Sequence, residues 1–125
     1  MRAYAQSACA RAGLRSELEL EEPSAELPRE TAIALFRVVE EGLTNTIRHA
    51  GARSVRLCFA DRPDACRLLL HDDGCGFDIR PTDLHPRPGL LAIRERVRAL
   101  GGSLEIESSP ETGTTLRVSV PRPRG

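Results

Sequence analysis

The 125 residues suit one domain, and at 40% hydrophobic but only 3% aromatic they can bury a single, mainly aliphatic core. The 18 basic residues balance 18 acidic ones, so no net field draws the chain to nucleic acid or to an anionic membrane. Every basic residue is Arg, which excludes a Walker-type phosphate loop and leaves phosphate contacts to Arg, His, backbone amides or a metal.

Residues 2–12 are Ala-rich and read as a short helix ended by Gly13. Leu14 to Leu20 alternates as L-R-S-E-L-E-L, a strand with Leu14, Leu18 and Leu20 on one face. The acidic stretch from Glu21 to Leu27, with Pro23, is a loop. Pro28 suits a first helical turn, and a long helix is expected from there to Ala50, capped by Gly51. At about 100° per residue, Phe36, Val39, Leu43 and Ile47 share its apolar face, and Glu41, Asn45 and His49 fall on the opposite side. Ser54–Phe59 and Cys66–His71 read as strands around the turn Asp61-Arg62-Pro63-Asp64. A Gly-punctuated break, H-D-D-G-C-G-F, follows, and then a Pro-rich loop over 78–88. Leu90 to Leu100 is helical and stops at Gly101-Gly102; Ser103–Glu107 and Thr114–Val120 form a last strand pair.

This order predicts an α+β two-layer sandwich, in which a mixed, mostly antiparallel sheet is covered on one face by about three helices. One domain is expected over residues 1–125, with a helix at 1–12 and a frayed tail at 121–125. No apolar run approaches the ~20 residues needed to cross a membrane, and the N-terminus lacks the apolar stretch of a signal peptide. Cys9, Cys58, Cys66 and Cys75 match neither a zinc pattern nor a C-x-x-C pair. Reduced cytosolic thiols are expected, with a Cys58–Cys66 bridge across the hairpin as the alternative.

Four constellations carry potential chemistry. Glu41, Asn45 and His49 line up four apart along the helix, and their hard oxygens suit a metal–phosphate group; the plain alternative is a solvated helix face. Asp72-Asp73-Gly74-Cys75-Gly76 puts a carboxylate at a strand end, where it can accept from a ligand amine, before glycines that allow close backbone approach. Its alternative is an ordinary D-G turn. Gly89-Leu90-Leu91 opens a helix whose free amides favour phosphate, or is only a loop-to-helix joint. Gly113-Thr114-Thr115 brings a hydroxyl to the start of the last strand, or is only a hairpin turn.

Their order resembles a known family. E-G-L-T-N-T-I-R-H-A is similar to the N box of histidine kinases, specifically those related to nitrate-responsive sensors. D-D-G-C-G-F is similar to the G1 box, G-L-L-A-I-R-E-R-V-R-A-L-G-G-S-L-E-I-E-S to the G2 region and beyond, and G-T-T-L-R-V-S-V-P to the closing strand. The resemblance covers about residues 14–121 and extends to the ATPase superfamily shared with DNA gyrase and MutL, so it implies the Bergerat fold.

The resemblance implies a Mg·ATP site. Asn45 would be the Mg²⁺ ligand, and Glu41 would sit beside it near the γ-phosphate in a metal-side and catalytic role. Arg48 or His49 would approach the phosphates, His49 at the catalytic end. Asp72 would accept the adenine amino group, Gly74 and Gly76 would let the chain pass under base and ribose, and Thr114 would lie beside Asp72. Gly89 and Leu90 would meet the phosphates. The family's G-x-G-L reads Arg87-Pro88-Gly89-Leu90 here, so either Arg87 supplies a charge in place of amides or phosphate binding is weakened.

None of His49, His71 and His85 starts a long helical hairpin. The resemblance therefore implies the catalytic portion of a two-component sensor kinase, acting on a His of a separate dimerisation domain and, through it, on a response regulator. Neither nucleic acid nor membrane is an expected partner of this domain. Its expected place is the cytoplasm, with a membrane-anchored parent as one form. The alternatives are an anti-sigma-factor-type serine kinase and a degenerate ATP-binding module.

Overall fold

The computed structural model describes residues 1–22, 27–74, 88–109 and 112–122, with the backbone alone at residues 49, 50 and 88. In chain order the elements are α1 (Arg2–Ala12), β1 (Arg15–Leu20), α2 (Arg29–Asn45), a single π turn (Thr46–Ala50), β2 (Ser54–Asp61), β3 (Ala65–Asp72), α3 (Pro88–Ala99), β4 (Ser103–Ser109) and β5 (Gly113–Pro121). The five strands are ordered β1-β2-β3-β5-β4. β1 runs parallel to β2, with α2 as the crossover a parallel pair requires, and the other neighbours are antiparallel. This is the expected α+β sandwich.

Register explains the single covered face. Leu18, Leu57, Leu70, Leu116 and Ile106 form one row across all five strands. The helices bury Leu35, Val38, Val39 and Leu43 of α2, Leu90, Ile93 and Val97 of α3, and Ala5, Ala8 and Cys9 of α1 in the same cluster. The other face carries charge, including the pairs Arg56–Glu19 and Arg117–Glu107. Alternation along each strand therefore sets a dry side under the helices and a wet side opposite.

Three local expectations change, and the expected free thiols of Cys58 and Cys66 hold. Ile47 is 44% exposed, and Thr46 is the buried residue, at 2%. The cause is the π turn, which breaks the regular helical phase after Asn45. Pro28 is the N-cap, in extended backbone, rather than part of the first turn. α3 starts at Pro88, two residues before the expected Leu90, since a first-turn proline needs no N–H and has the right φ. Cys58 pairs in register with Leu69 and Cys66 with Asp61. The two thiols thus sit on opposite faces of the sheet, and both are free.

The end of β5 is tied down. The Arg122 backbone N–H donates to the Asp64 carbonyl at 2.9 Å. Arg122 Nε and Nη2 each donate to one Asp61 carboxylate oxygen at 2.7 Å. The Asp61 side chain is only 2% exposed. Pro121 is the last residue of β5, Arg122 just beyond it is held by these bonds, and residues 123–125 lie outside the described residues.

Candidate functional site

Asp72 is the last residue of β3 and faces the helix layer. It stands opposite Val55 of β2 and Thr114 of β5, and it is 5% exposed. Two donors hold its carboxylate. The Gly74 backbone N–H donates to Oδ1 at 2.9 Å, an Asx-type turn. The Thr46 hydroxyl lies 2.9 Å from Oδ2. Among the described residues no cation pairs with Asp72. A buried carboxylate fixed by neutral donors, with lone pairs to spare, is suited to a neutral amine from outside.

The adjacent Asp73 does different work. It is exposed, and its carboxylate takes the Arg53 N–H at 2.9 Å, the Ser54 N–H at 3.0 Å and the Ser54 hydroxyl at 2.9 Å. The Ser54 and Arg53 amides hold its carboxyl below the usual range. Asp73 thereby fixes the start of β2 against the end of β3, and so fixes where Asp72 points.

Thr114 shares a row with Asp72, and its hydroxyl lies 2.8 Å from that of Ser108. Gly113, just before it, has φ +81, and a Cβ there would strike the Asp72 carbonyl oxygen. Only glycine permits both that backbone and that closeness.

Glu41 and Asn45 are half-buried on one stripe of α2, as expected. The Glu41 carboxylate packs directly on Gly89 at the start of α3, where a Cβ would collide with it. Glu41 also lines an open groove of about 390 Å³ between α1, α2 and α3, together with Tyr4, Arg37, Glu40, Thr44 and Arg96. Leu90 is 1% exposed and packs in the core, which leaves its backbone for any phosphate contact. Arg48 is exposed. Gly76, Arg87 and the side chain of His49 lie outside the described residues, and the π turn ends the regular stripe on which His49 was expected.

The fold thus brings together Asp72, Gly74 and Thr114 at one end of the sheet, and Glu41 with Gly89 at the α2–α3 junction. Sequence reasoning missed Thr46. The available signal was a polar residue in helical step with Val39 and Gly42, since a hydroxyl on a buried face needs a partner. Among the described residues no cluster of three His, Cys, Asp or Glu side chains forms a metal cage, and no helix is long and apolar enough to cross a membrane.

Comparison with known proteins gives this arrangement its family. The model for histidine kinase-, DNA gyrase B- and HSP90-like ATPases matches residues 30–124. The chain belongs to that family.

Within it, the chain is 37% identical over 94 residues to the signal transduction histidine-protein kinase/phosphatase DegS of Brevibacillus brevis, covering 75% of this chain and 24% of that protein. It is 37% identical over 111 residues to UhpB of Salmonella typhimurium, a signal transduction histidine-protein kinase/phosphatase, covering 88% and 21%. The chain therefore spans about a quarter or less of these relatives' length. In fold it is similar to the histidine kinase domain of a blue-light activated histidine kinase from Erythrobacter litoralis. The TM-score is 0.80 at 23% identity, covering 96% of this chain and 58% of that one. Acinetobacter baumannii histidine kinase AdeS gives 0.77 at 17% identity, covering 98% and 61%. The domain is of the ATP-binding, histidine-kinase type.

Proposed function

We propose that this chain binds Mg·ATP and presents the γ-phosphate to a His on a separate dimerisation domain, from which the phosphoryl group passes to a response regulator. The work of such a domain is positioning and charge neutralisation, because phosphoryl transfer needs little covalent chemistry from the protein. Asp72 accepts the adenine amine, Gly74 and Gly76 leave room for base and ribose, and Thr114 borders the base. Glu41 and Asn45 face the phosphates with Gly89, the Leu90 backbone and Arg48, and the order of motifs alone assigns His49 and Arg87 to the same phosphates. Glu41 reaches solvent through the open groove, so an acceptor can approach from the helix side.

The described residues fit a magnesium ion in one way. Mg²⁺ takes oxygen ligands and usually relies on one or two protein groups plus substrate phosphates, and Glu41 with Asn45 offers that set without a full cage. When bound, the ion would neutralise phosphate charge. The domain is placed in the cytoplasm, where ATP and a response regulator meet.

The observation that carries this reading is the buried Asp72 carboxylate, held by the Gly74 amide and the Thr46 hydroxyl and unpaired with any described cation. Calorimetric titration with ATP and Mg²⁺ tests it. Asp72→Asn, which turns an amide N–H₂ toward the incoming amine, should weaken ATP binding by roughly tenfold or more. Equal binding by wild type and variant would overturn the assignment of Asp72.

A further inference from the structure

We infer that Thr46 is a specificity-determining residue: its hydroxyl holds the Asp72 carboxylate in the orientation that accepts an adenine amine, and so selects adenine over a 6-oxo purine. The inference rests on the adenine reading of Asp72 given above.

Thr46 sits where α2 widens into its π turn, and it is 2% exposed. Its Oγ1 lies 3.0 Å from the Gly42 carbonyl and 2.9 Å from Asp72 Oδ2. A hydroxyl carries a single proton, so one of these oxygens receives it. The Gly42 carbonyl already accepts the Thr46 backbone N–H. The carboxylate is the stronger acceptor. The proton therefore goes to Asp72.

That bond settles the carboxylate plane. Gly74 N–H occupies Oδ1 and Thr46 O–H occupies Oδ2. Of about four lone-pair sites on a carboxylate, roughly two stay open. With both oxygens pinned, the open sites keep a fixed direction. A 6-amino group donates into them, whereas a 6-oxo group sets oxygen against oxygen. Without the hydroxyl, Oδ2 is buried with no donor, and the carboxylate can rotate about its Cβ–Cγ bond toward Gly74. The contrast between amino and oxo purines then falls.

Thr46→Val keeps the size and branching of the side chain and removes only the hydroxyl, and Thr46→Ser keeps the hydroxyl. Calorimetry with ATP and with inosine triphosphate, both with Mg²⁺, reads the effect. Wild type should prefer ATP. In Thr46→Val the ATP-to-inosine-triphosphate affinity ratio should fall by roughly fivefold or more, mainly through weaker ATP binding. Thr46→Ser should restore it. A purely structural threonine would weaken both nucleotides alike. Thr46→Val with an unchanged ratio, or failure of Thr46→Ser to rescue a lowered one, overturns the inference and leaves the ATP site standing. Wild type that binds neither nucleotide removes the adenine reading itself, and the inference with it. If Thr46→Val does not fold, Thr46→Cys, a weaker donor of similar size, gives the same comparison.

Discussion

Two adjacent aspartates show how much depends on which face of a strand end a residue takes. Asp72 is buried and aimed at the helix layer, and Asp73 is exposed and binds the start of β2. Because donors depress the Asp73 carboxyl in the fold, its stabilisation is complete above the ordinary aspartate range. It is lost as the pH falls through the lower folded value. Asp73→Asn should lower stability at neutral pH by about 1 kcal/mol, at the low end for charged hydrogen bonds because the site is exposed. Thermal melts from neutral to strongly acidic pH would show wild type and variant converging in acid; a constant gap at every pH would refute this. Gly113→Ala should be far worse, costing roughly 2 kcal/mol or more through both its φ and the collision with the Asp72 carbonyl. Denaturant titration measures that loss. The D-x-G-x-G pattern made Asp72 legible as a candidate. Thr46 was hidden, because a regular helical phase favours Ile47 at the same station and nothing in the composition announces a π turn.

At the scale of elements, the long helix, both hairpins and α3 were readable, because apolar periodicity and the Gly and Pro stops agree. The tie between Arg122 and Asp61 was not, since the partners are 61 residues apart and meet only through the register of β2, β3 and β5. Asp61→Ala removes the two carboxylate oxygens that accept from the Arg122 guanidinium, and it should cost more stability than the loss of an exposed pair. Chemical denaturation should show the loss, and a change under about 0.5 kcal/mol, typical of an exposed pair, would contradict it. The contact between α2 and α3 bears on chemistry rather than on stability. Gly89→Ala would push the Glu41 carboxylate aside, and a half-buried side-chain end can yield. Phosphoryl transfer should fall by roughly tenfold or more, because small misplacements at a reacting centre are costly. The melting temperature should barely move. Labelled ATP with an acceptor domain measures the first effect, and an unchanged transfer rate would separate Glu41 from catalysis.

For the whole molecule, the five strands and three helices of the described residues form a scaffold with one dry face, one end of which gathers Asp72, Gly74 and Thr114 beside the end of α2. That architecture followed from the order of elements, and the family from the order of motifs. Side-chain partners did not follow, because they depend on contacts between residues far apart in sequence. The central claim is an adenine site built on Asp72, and one titration tests it most directly. Calorimetry of the wild-type chain and of Asp72→Asn with ATP and Mg²⁺ should show binding by the first and roughly tenfold or greater loss in the second. Equal affinities, or no binding of ATP by the wild-type chain, would contradict the account.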